Sequence, residues 1–331
     1  MLTNQIDLVI SELDGILRNE GSVRFQIINT WRCQLRCTHC NVGELLEHNI
    51  FKPEAHFDPK DLTAFLNKMP GKNKSALIVG GEPTFDYDWL EQVLDAVHAA
   101  GIKDVELSTN LISVPDERIP LLQRFSTIGV SLDGLEKDHD AKRGHGTFKA
   151  TYKNIRKLIL AGVPRLVAKG LIPEGTDEFY IRCYANVLAY VGIENGNIKL
   201  YREGPGHIKK EMNPDFLKLT KEMNAHPLPC CCFRYMHNFC ITPEGNLWTG
   251  FYTAHDEKFS LGNIQSSLEE IQERYKSAIG HAPFIKDSAC SSCSAVKWCW
   301  GLYCYDKFRY DRDPSPSHIC NKELMISKKP S

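Results

Sequence analysis

The sequence predicts an α/β fold, a partial (β/α)6 TIM-like barrel followed by a small cysteine-rich domain. Apolar strands alternate with amphipathic helices over residues 23–223, which is typical of a parallel sheet covered by helices. Six strand–helix units can close only partly, so we expect an open relative of the eight-unit barrel. Near Pro227 the helices give way to turns and cysteines, which divides the chain into predicted domains at 1–226 and 227–331.

The predicted elements follow one another in a regular order. An amphipathic helix over residues 5–18 precedes a strand at 23–29, and the next helix begins at Asp58, a suitable N-cap before Pro59. The other predicted strands cover 76–79, 105–109, 128–132, 166–172 and 197–201. The other predicted helices cover 89–100, 117–125, 148–161, 178–191 and 216–223, and Gly101 and Gly162 end two of them.

The composition excludes several classes of function. Lys and Arg number 40 against 41 Asp and Glu, so the chain lacks the positive charge that nucleic-acid binding favours. The first ten residues lack the layout of a secretion signal, and no apolar run approaches the roughly 20 residues that span a bilayer. We therefore expect a cytoplasmic protein without a membrane or nucleic-acid partner. In that compartment, 13 cysteines, an odd number clustered towards both ends, favour metal binding over disulfide bonds.

Three of these cysteines share one loop directly after the first strand. Cys33, Cys37 and Cys40 follow the spacing C-x3-C-x2-C, and thiolates suit iron–sulfur clusters and zinc. Such sites usually take four cysteines. Either a fourth ligand comes from elsewhere in the chain, or one metal position stays open for a substrate.

Polar and glycine residues mark the ends of the next three strands. They are Gly80, Gly81, Glu82, Ser108, Asn110, Ser131 and Asp133. The carboxyl ends of the strands are where chemistry collects in such sheets, although ordinary turns favour the same residue types.

The cysteine spacing and Gly80-Gly81-Glu82-Pro83 together resemble the radical S-adenosylmethionine (radical SAM) enzymes. The resemblance implies that the three cysteines hold a [4Fe–4S] cluster whose fourth iron binds the amine and carboxylate of SAM. It also implies that the strand-end residues contact SAM, with Gly80–Glu82 at its amino group, and that His39 packs near the adenine. The stretch 139–148 resembles the peptide-modifying branch, in which Arg143 would pair with the SAM carboxylate. A structural zinc knuckle is the alternative for the cysteine loop.

The C-terminal cysteines resemble the SPASM extension, which carries auxiliary [4Fe–4S] clusters. The spacings between Cys290, Cys293 and Cys299 match its pattern, and Cys304 comes one residue late. The resemblance implies a cluster held by Cys290, Cys293, Cys299 and Cys320, although four thiolates would also suit zinc.

The other auxiliary site departs from the SPASM pattern. Gly250 replaces the cysteine expected five residues after Gly245. The best remaining set is Cys304 and Cys240 with one or two of Cys230, Cys231 and Cys232, so this cluster either recruits two adjacent cysteines or keeps an open iron. Phe251 stands where sulfatase-maturating relatives carry an Asp base, which argues against formylglycine formation.

The resemblance implies an enzyme that receives an electron from an external donor and cleaves SAM to a 5′-deoxyadenosyl radical, which then removes a substrate hydrogen. SPASM enzymes act mostly on peptides, so we expect cross-linking or oxidation of a ribosomally made peptide. Only about twenty residues precede the first strand, so a leader peptide would need a separate binding protein or direct docking. The alternatives are a dehydrogenase acting on a small molecule, such as an amino sugar alcohol, and a non-enzymatic iron–sulfur or zinc protein that carries electrons or binds a partner.

Overall fold

The structure is a computed structural model of the chain, and it describes residues 21–40, 42, 52–173, 176–194, 197–202, 226–227, 238–250, 254 and 257–280. Its strands are β1 Ser22–Ile28, β2 Asn73–Val79, β3 Asp104–Thr109, β4 Thr127–Ser131, β5 Leu166–Ile172, β6 Ile198–Arg202, β7 His226–Pro227, β8 Asn238–Ile241, β9 Asn246–Trp248 and β10 Ser260–Asn263. Its helices are α1 Pro59–Lys68, α2 Tyr87–Ala99, α3 Ile119–Leu122, α4 Glu136–Arg143, α5 Thr147–Leu160, α6 Glu178–Val191 and α7 Leu268–Gly280.

The described strands form one ten-stranded sheet in the order β10-β9-β8-β1-β2-β3-β4-β5-β6-β7. Neighbouring strands from β8 to β7 run parallel, whereas β8, β9 and β10 form an antiparallel meander. The predicted partial α/β barrel is confirmed. Strands β8–β10 lie beyond the predicted boundary at residue 226 and extend the same sheet, and the division into two domains stays a prediction.

The main apolar core lies between the sheet and the helices. Alternate residues of β1, namely Val23, Phe25 and Ile27, are buried in this core with helix residues such as Leu62 and Phe65 of α1. The residues between them in sequence point to the other side of the sheet, which we call the interior face. This alternation follows from the two-residue period of a strand, and it leaves the interior face free to carry polar groups.

Capping residues set several helix ends where the sequence predicts them. The Asp58 carboxylate accepts a hydrogen bond from the Lys60 N–H at 2.8 Å and begins α1. Asp177 caps α6 in the same way, and Gly192, with φ of 102°, ends it. The helix predicted over 178–191 therefore has the predicted bounds.

Other elements differ from the sequence prediction. The helix predicted over 117–125 is a 3-10 turn, Asp116–Arg118, followed by the four-residue α3. Helix α4 is not predicted from the sequence, because its residues EKDHDAKR form no apolar stripe. Its buried residues are His139 and Lys142. The helices predicted over 5–18 and 216–223 lie outside the described residues. Across the part of the chain that the structure describes, every helix is too short or too polar to cross a bilayer.

Candidate active site

The cysteine loop begins where β1 leaves the centre of the sheet. The backbone ladder between β1 and β2 continues past the strand ends, because Asn29 N–H donates to Val79 O at 2.6 Å and Gly81 N–H donates to Thr30 O at 2.7 Å. Glu82 N–H then donates to Arg32 O at 2.8 Å. The residues directly before Cys33 are thus fixed against the loop that follows β2.

Two glycines make this close approach possible. A Cβ atom at Gly80 would lie 2.4 Å from Thr30 O, and one at Gly81 would lie 2.3 Å from Arg32 O. These are backbone atoms that cannot rotate away. The resemblance implies that these glycines lie at the amino group of SAM, and the structure shows that they accommodate the backbone at the base of the cysteine loop.

The Glu82 carboxylate is buried and joins two parts of the site, the loop after β2 and the end of β3. Its Oε1 accepts hydrogen bonds from the Thr84 hydroxyl at 2.7 Å, the Thr109 hydroxyl at 2.6 Å and Thr84 N–H at 3.1 Å. Its Oε2 accepts one from Asn110 N–H at 2.7 Å. Burial raises the pKa of Glu82, and these four hydrogen bonds act in the opposite direction. Thr84 and Thr109, which the sequence analysis did not single out, therefore hold the end of β3 to the loop after β2.

The cysteine loop is also held along its own length and at its far end. The Arg36 guanidinium donates to Cys33 O at 2.8 Å and to Leu35 O at 2.9 Å. Thr38 N–H donates to Lys142 O at 3.0 Å, which joins the loop to the end of α4. Arg36 and α4 thus position a segment that has no regular secondary structure.

The three thiols of the loop are half-buried and free. Burial raises the pKa of the Cys33 thiol to about 12, and burial also raises that of Cys37, although the nearby Arg143 guanidinium opposes the rise. A metal that coordinates such thiols must displace their protons.

A buried ion pair lies beside the loop. Arg143 Nε donates to Asp133 Oδ2, and Asp133 Oδ1 accepts a hydrogen bond from Leu171 N–H at 2.8 Å. Arg143 Nη2 lies 3.4 Å from Nε2 of His39, which belongs to the cysteine loop. Burial would raise the pKa of Asp133, but the charge of Arg143, its hydrogen bond and the hydrogen bond from Leu171 N–H together hold this pKa below its usual range. The structure therefore brings together three of the predicted site residues.

The His139 ring fixes the turn that carries Asp133. Its Nδ1 accepts a hydrogen bond from Asp133 N–H at 2.9 Å, and burial, aided by the charge of Arg143, lowers its pKa to about 4. His139 is thus neutral at physiological pH. The sequence analysis noted it only as part of a motif.

The remaining strand-end residues lie on the interior face. Asn110 Nδ2 is 4.0 Å from Cys33 Sγ, and Asn110 precedes Leu111, whose φ of 56° places it in the left-handed region. Ser108 Oγ accepts a hydrogen bond from Lys169 Nζ at 3.3 Å. Ser131 is the half-buried last residue of β4. Asn110, directly after β3, therefore lies close to the cysteine loop, whereas Ser108 lies further back along the strand.

A second apolar cluster supports the cysteine loop from β8 and β9. We call it the tryptophan cluster, and its buried members are Ile28, Trp31, Val42, Cys240, Trp248 and Ala254. Cys40 packs against it, and Trp31 Nε1 donates to Glu244 Oε1 at 2.8 Å. Cys240 is fully buried here, and its surroundings favour a thiol of the core. Its role as a cluster ligand stays a prediction. The other predicted auxiliary ligands lie outside the described residues: Cys230, Cys231, Cys232, Cys290, Cys293, Cys299, Cys304 and Cys320.

Comparison with known families identifies the central part of this fold. Residues 28–178 match the family model of the radical SAM superfamily. The matched segment carries the cysteine loop, Gly80–Glu82 and the Asp133–Arg143 pair. The superfamily implies a [4Fe–4S] cluster and SAM. The SPASM extension itself stays a prediction.

Curated relatives fall into two groups. The GTP 3′,8-cyclase of Clostridium botulinum (strain Hall) is 28% identical over 284 residues, which cover 74% of this chain and 86% of that protein. The sporulation killing factor maturation protein SkfB of Bacillus subtilis is 31% identical over 149 residues, or 44% of this chain and 35% of that protein.

Solved structures share the fold. Native anSMEcpe with bound AdoMet and Kp18Cys peptide superposes with a TM-score of 0.65 at 16% identity, covering 86% of this chain and 90% of that one. SuiB of Streptococcus suis bound to precursor peptide SuiA gives a TM-score of 0.66 at 16% identity, covering 93% of this chain and 78% of that one. At these identities the likeness concerns the fold alone.

The donor set of the cysteine loop fits an iron–sulfur cluster. Among the described residues, no three His, Cys, Asp or Glu side chains converge as the ligands of one metal ion do. In a [4Fe–4S] cluster each thiolate binds a different iron, so the thiols that hold it are not expected to share one point. Three half-buried thiols, with the positive charge of Arg143 near Cys37, suit such a cluster.

We expect Gly81→Ala to displace the base of the cysteine loop. Its new Cβ would meet Arg32 O and Trp31 O at 2.3 and 2.6 Å, which should cost about 3 kcal/mol of folding free energy. After anaerobic reconstitution, the variant should hold clearly less iron per chain than the unaltered protein. The matched control is Gly101→Ala, which meets no atom within 4 Å and costs only the strain of its φ of 76°, about 1 kcal/mol. Equal iron contents in the two variants would contradict the assigned role of Gly81.

Cys240→Ala separates the predicted role of Cys240 as a cluster ligand from that of a thiol of the core, because the loss of a core thiol leaves the iron content unchanged. Its sulfur is buried in the tryptophan cluster, so the loss should be one of packing, about 1–2 kcal/mol of unfolding free energy. Iron analysis and urea unfolding measure the two effects. Cys183→Ala, which alters a half-buried thiol on α6, is the control. A loss of about four irons per chain from Cys240→Ala would instead support its role as a ligand.

Proposed function

We propose that this protein is a radical SAM enzyme that modifies a ribosomally made peptide by cross-linking or oxidising a side chain. The observation that carries the proposal is the cysteine loop of a radical SAM domain, anchored at the carboxyl ends of the strands with three thiols half-buried beside Arg143. In this proposal Cys33, Cys37 and Cys40 hold the [4Fe–4S] cluster. When bound, cluster and SAM supply a 5′-deoxyadenosyl radical that takes a hydrogen from the substrate, and an external donor provides the electron.

The contacts of the strand ends suggest how the chain would position SAM. We propose Gly80, Gly81, Ser108, Asn110, Ser131 and His39 as residues around SAM. The Glu82 oxygens already accept four hydrogen bonds, so Glu82 would act through the backbone that it holds in place. Arg143 is already paired with Asp133, so its remaining N–H groups would meet an anionic ligand while Asp133 fixes its orientation.

Packing behind the loop would limit the access of water from that side. Trp31 is 1% exposed and Trp248 is 6% exposed, and both lie in the tryptophan cluster against which Cys40 packs. A dry, fixed loop protects reactive intermediates and avoids reorganisation during the reaction. The proposed auxiliary clusters, from residue 227 onwards, would accept the electron left on the product or bind the substrate.

A peptide substrate is the first choice, because SkfB is a maturation protein and SuiB is bound to a precursor peptide. A separate leader-peptide-binding protein is part of this proposal. The second candidate is a small molecule, and the GTP 3′,8-cyclase of Clostridium botulinum (strain Hall), whose alignment covers 74% of this chain, favours a nucleoside triphosphate.

The enzyme assignment predicts SAM cleavage. Anaerobically reconstituted protein given SAM and dithionite should release 5′-deoxyadenosine, and Cys37→Ala should abolish the release because it removes a cluster ligand. Chromatography with mass detection measures the product, and Cys183→Ala should behave like the unaltered chain. A reconstituted protein that holds iron but forms no 5′-deoxyadenosine would support the non-enzymatic alternative. Three clusters would give about twelve irons per chain, and a zinc-binding C-terminal region would give about four.

The substrate assignment predicts coupled oxidation of a peptide. Short peptides encoded beside this gene, labelled with deuterium at individual side chains, should each be incubated with the active protein. The true substrate should lose a pair of hydrogens, and deuterium from the attacked carbon should appear in 5′-deoxyadenosine. GTP is the parallel test substrate. Consumption of GTP with no change in any peptide would overturn the peptide proposal in favour of the second candidate.

A further inference from the structure

Four charged side chains form a cluster on the interior face of the partial barrel. They are Arg24 of β1, Glu106 of β3, Lys169 of β5 and Lys199 of β6, and we call them the interior charge cluster. Arg24 Nη2 donates to Glu106 Oε2 at 2.7 Å, and Lys169 Nζ lies 2.8 Å from Glu106 Oε1. One carboxylate is thus shared by two cations, and the third cation is Lys199.

The side chain of Lys169 lies across Gly129 of the neighbouring strand β4. Any larger residue at position 129 would displace this lysine. A Cβ atom at Gly129 of β4 would lie 2.4 Å from Lys169 Cε and 2.6 Å from its Nζ. The same ammonium donates to Ser108 Oγ on β3. Because Gly129 has no side chain, Lys169 can lie flat on the interior face, where its own side chain is 17% exposed.

Lys199 lies directly opposite Lys169 in the register of β5 and β6. Like charges at directly opposite positions destabilise a sheet. Within the described residues, Lys199 makes no hydrogen bond and no ion pair within 4 Å that would offset this repulsion. Burial lowers the pKa of Lys199, while Glu106 at a distance acts in the opposite direction. Among the described residues, the positive charge of Lys199 thus has no close carboxylate in its half-buried place, which costs free energy unless an anion is bound.

The cluster lies just below the candidate active site. Lys169 pairs with Ser131 in the register of β4 and β5. Leu171, two residues after Lys169 on β5, donates its backbone N–H to the Asp133 carboxylate. Two residues of strand span about 7 Å. A substrate anchored at the two lysines would therefore extend towards the strand ends where SAM is proposed to bind.

We propose that Lys169 and Lys199 bind an anionic group of the substrate, a carboxylate or a phosphate, inside the open barrel. The inference rests on the proposed function for the reaction and adds the charge of the substrate to it. Glu106 acts as a positioning residue, since it holds Lys169 and Arg24 on the interior face. A carboxylate would come from an acidic side chain or the C-terminus of a peptide, and a phosphate would come from a nucleotide.

Binding of small anions tests this inference independently of turnover. Full-length reconstituted protein, saturated with SAM to fill that site, is titrated in a calorimeter with glutarate and separately with pyrophosphate. We expect one of the two probes to bind, and Lys199→Gln to raise its Kd about tenfold or more. Lys199→Arg keeps the charge and should stay within about threefold of the unaltered protein. Lys149→Gln, which alters an exposed lysine of α5, is the matched control and should change nothing.

Gly129→Ala is a second variant that keeps every charge. Its methyl group would push Lys169 off its place, so it should also raise the Kd of the bound probe. Thermal unfolding of each variant shows whether the fold is kept. Binding of glutarate alone would indicate a carboxylate, and binding of pyrophosphate alone would indicate a phosphate.

Two results would overturn the inference: neither probe binds, or Lys199→Gln and Gly129→Ala both bind the probe as the unaltered protein does. Failure of the proposed function is a separate result, because it is the absence of 5′-deoxyadenosine from the unaltered protein. SAM cleavage without anion binding would remove this inference alone, and anion binding without SAM cleavage would remove the proposed function alone.

Discussion

The buried carboxylate of Glu82 is the interaction on which the candidate active site depends. The carboxylate joins the loop after β2 to the end of β3 through Thr84, Thr109 and Asn110. The backbone N–H of Glu82 donates to Arg32 O and so holds the base of the cysteine loop. A carboxylate without partners would be costly at this depth, and removal of one donor would leave an unsatisfied oxygen. The four hydrogen bonds make the position tolerable, and together with the backbone hydrogen bond to Arg32 O they fix the relative placement of three strand ends.

The second constraint is the contribution of β8 and β9 to the cysteine loop. β1 lies between β2 and β8, so the strand that leads into the loop is supported on both sides. Phe25 of β1 contacts Phe239 of β8, with ring centroids 6.1 Å apart. The indole N–H of Trp31 donates a hydrogen bond to the Glu244 carboxylate. Lys68 of α1 donates to Ser266 O, which ties the region after β10 to the first helix of the barrel. The described residues beyond the predicted boundary thus help to support the cysteine loop and the first strand of the partial barrel.

The sequence allowed the architecture and the location of the site to be predicted, because both depend on local patterns. Alternating strands and helices, the N-cap Asp58 and motifs at strand ends are all readable along the chain. Helix α4 was missed because tertiary contacts stabilise it: His139 binds Asp133 N–H, and Lys142 donates to Leu171 O at 3.1 Å. The partners of Glu82 and the packing of Gly80 and Gly81 were missed because they join segments that are distant in sequence. The interior charge cluster did have a signal, since the alternation in β3 places Glu106 and Ser108 on the same face as Asn110.

The central position of β1 has a consequence for the order in which the molecule is made. Trp31 and its partner Glu244 are 213 positions apart. During synthesis the segment that carries Cys33 emerges early, but it gains its second neighbouring strand only after residues 238–241 have left the ribosome. Such distant pairings form slowly, because a long stretch of chain must be ordered before they are made. Iron delivered before that point would meet a loop exposed on one side, so maturation of this protein is expected to follow translation and not accompany it.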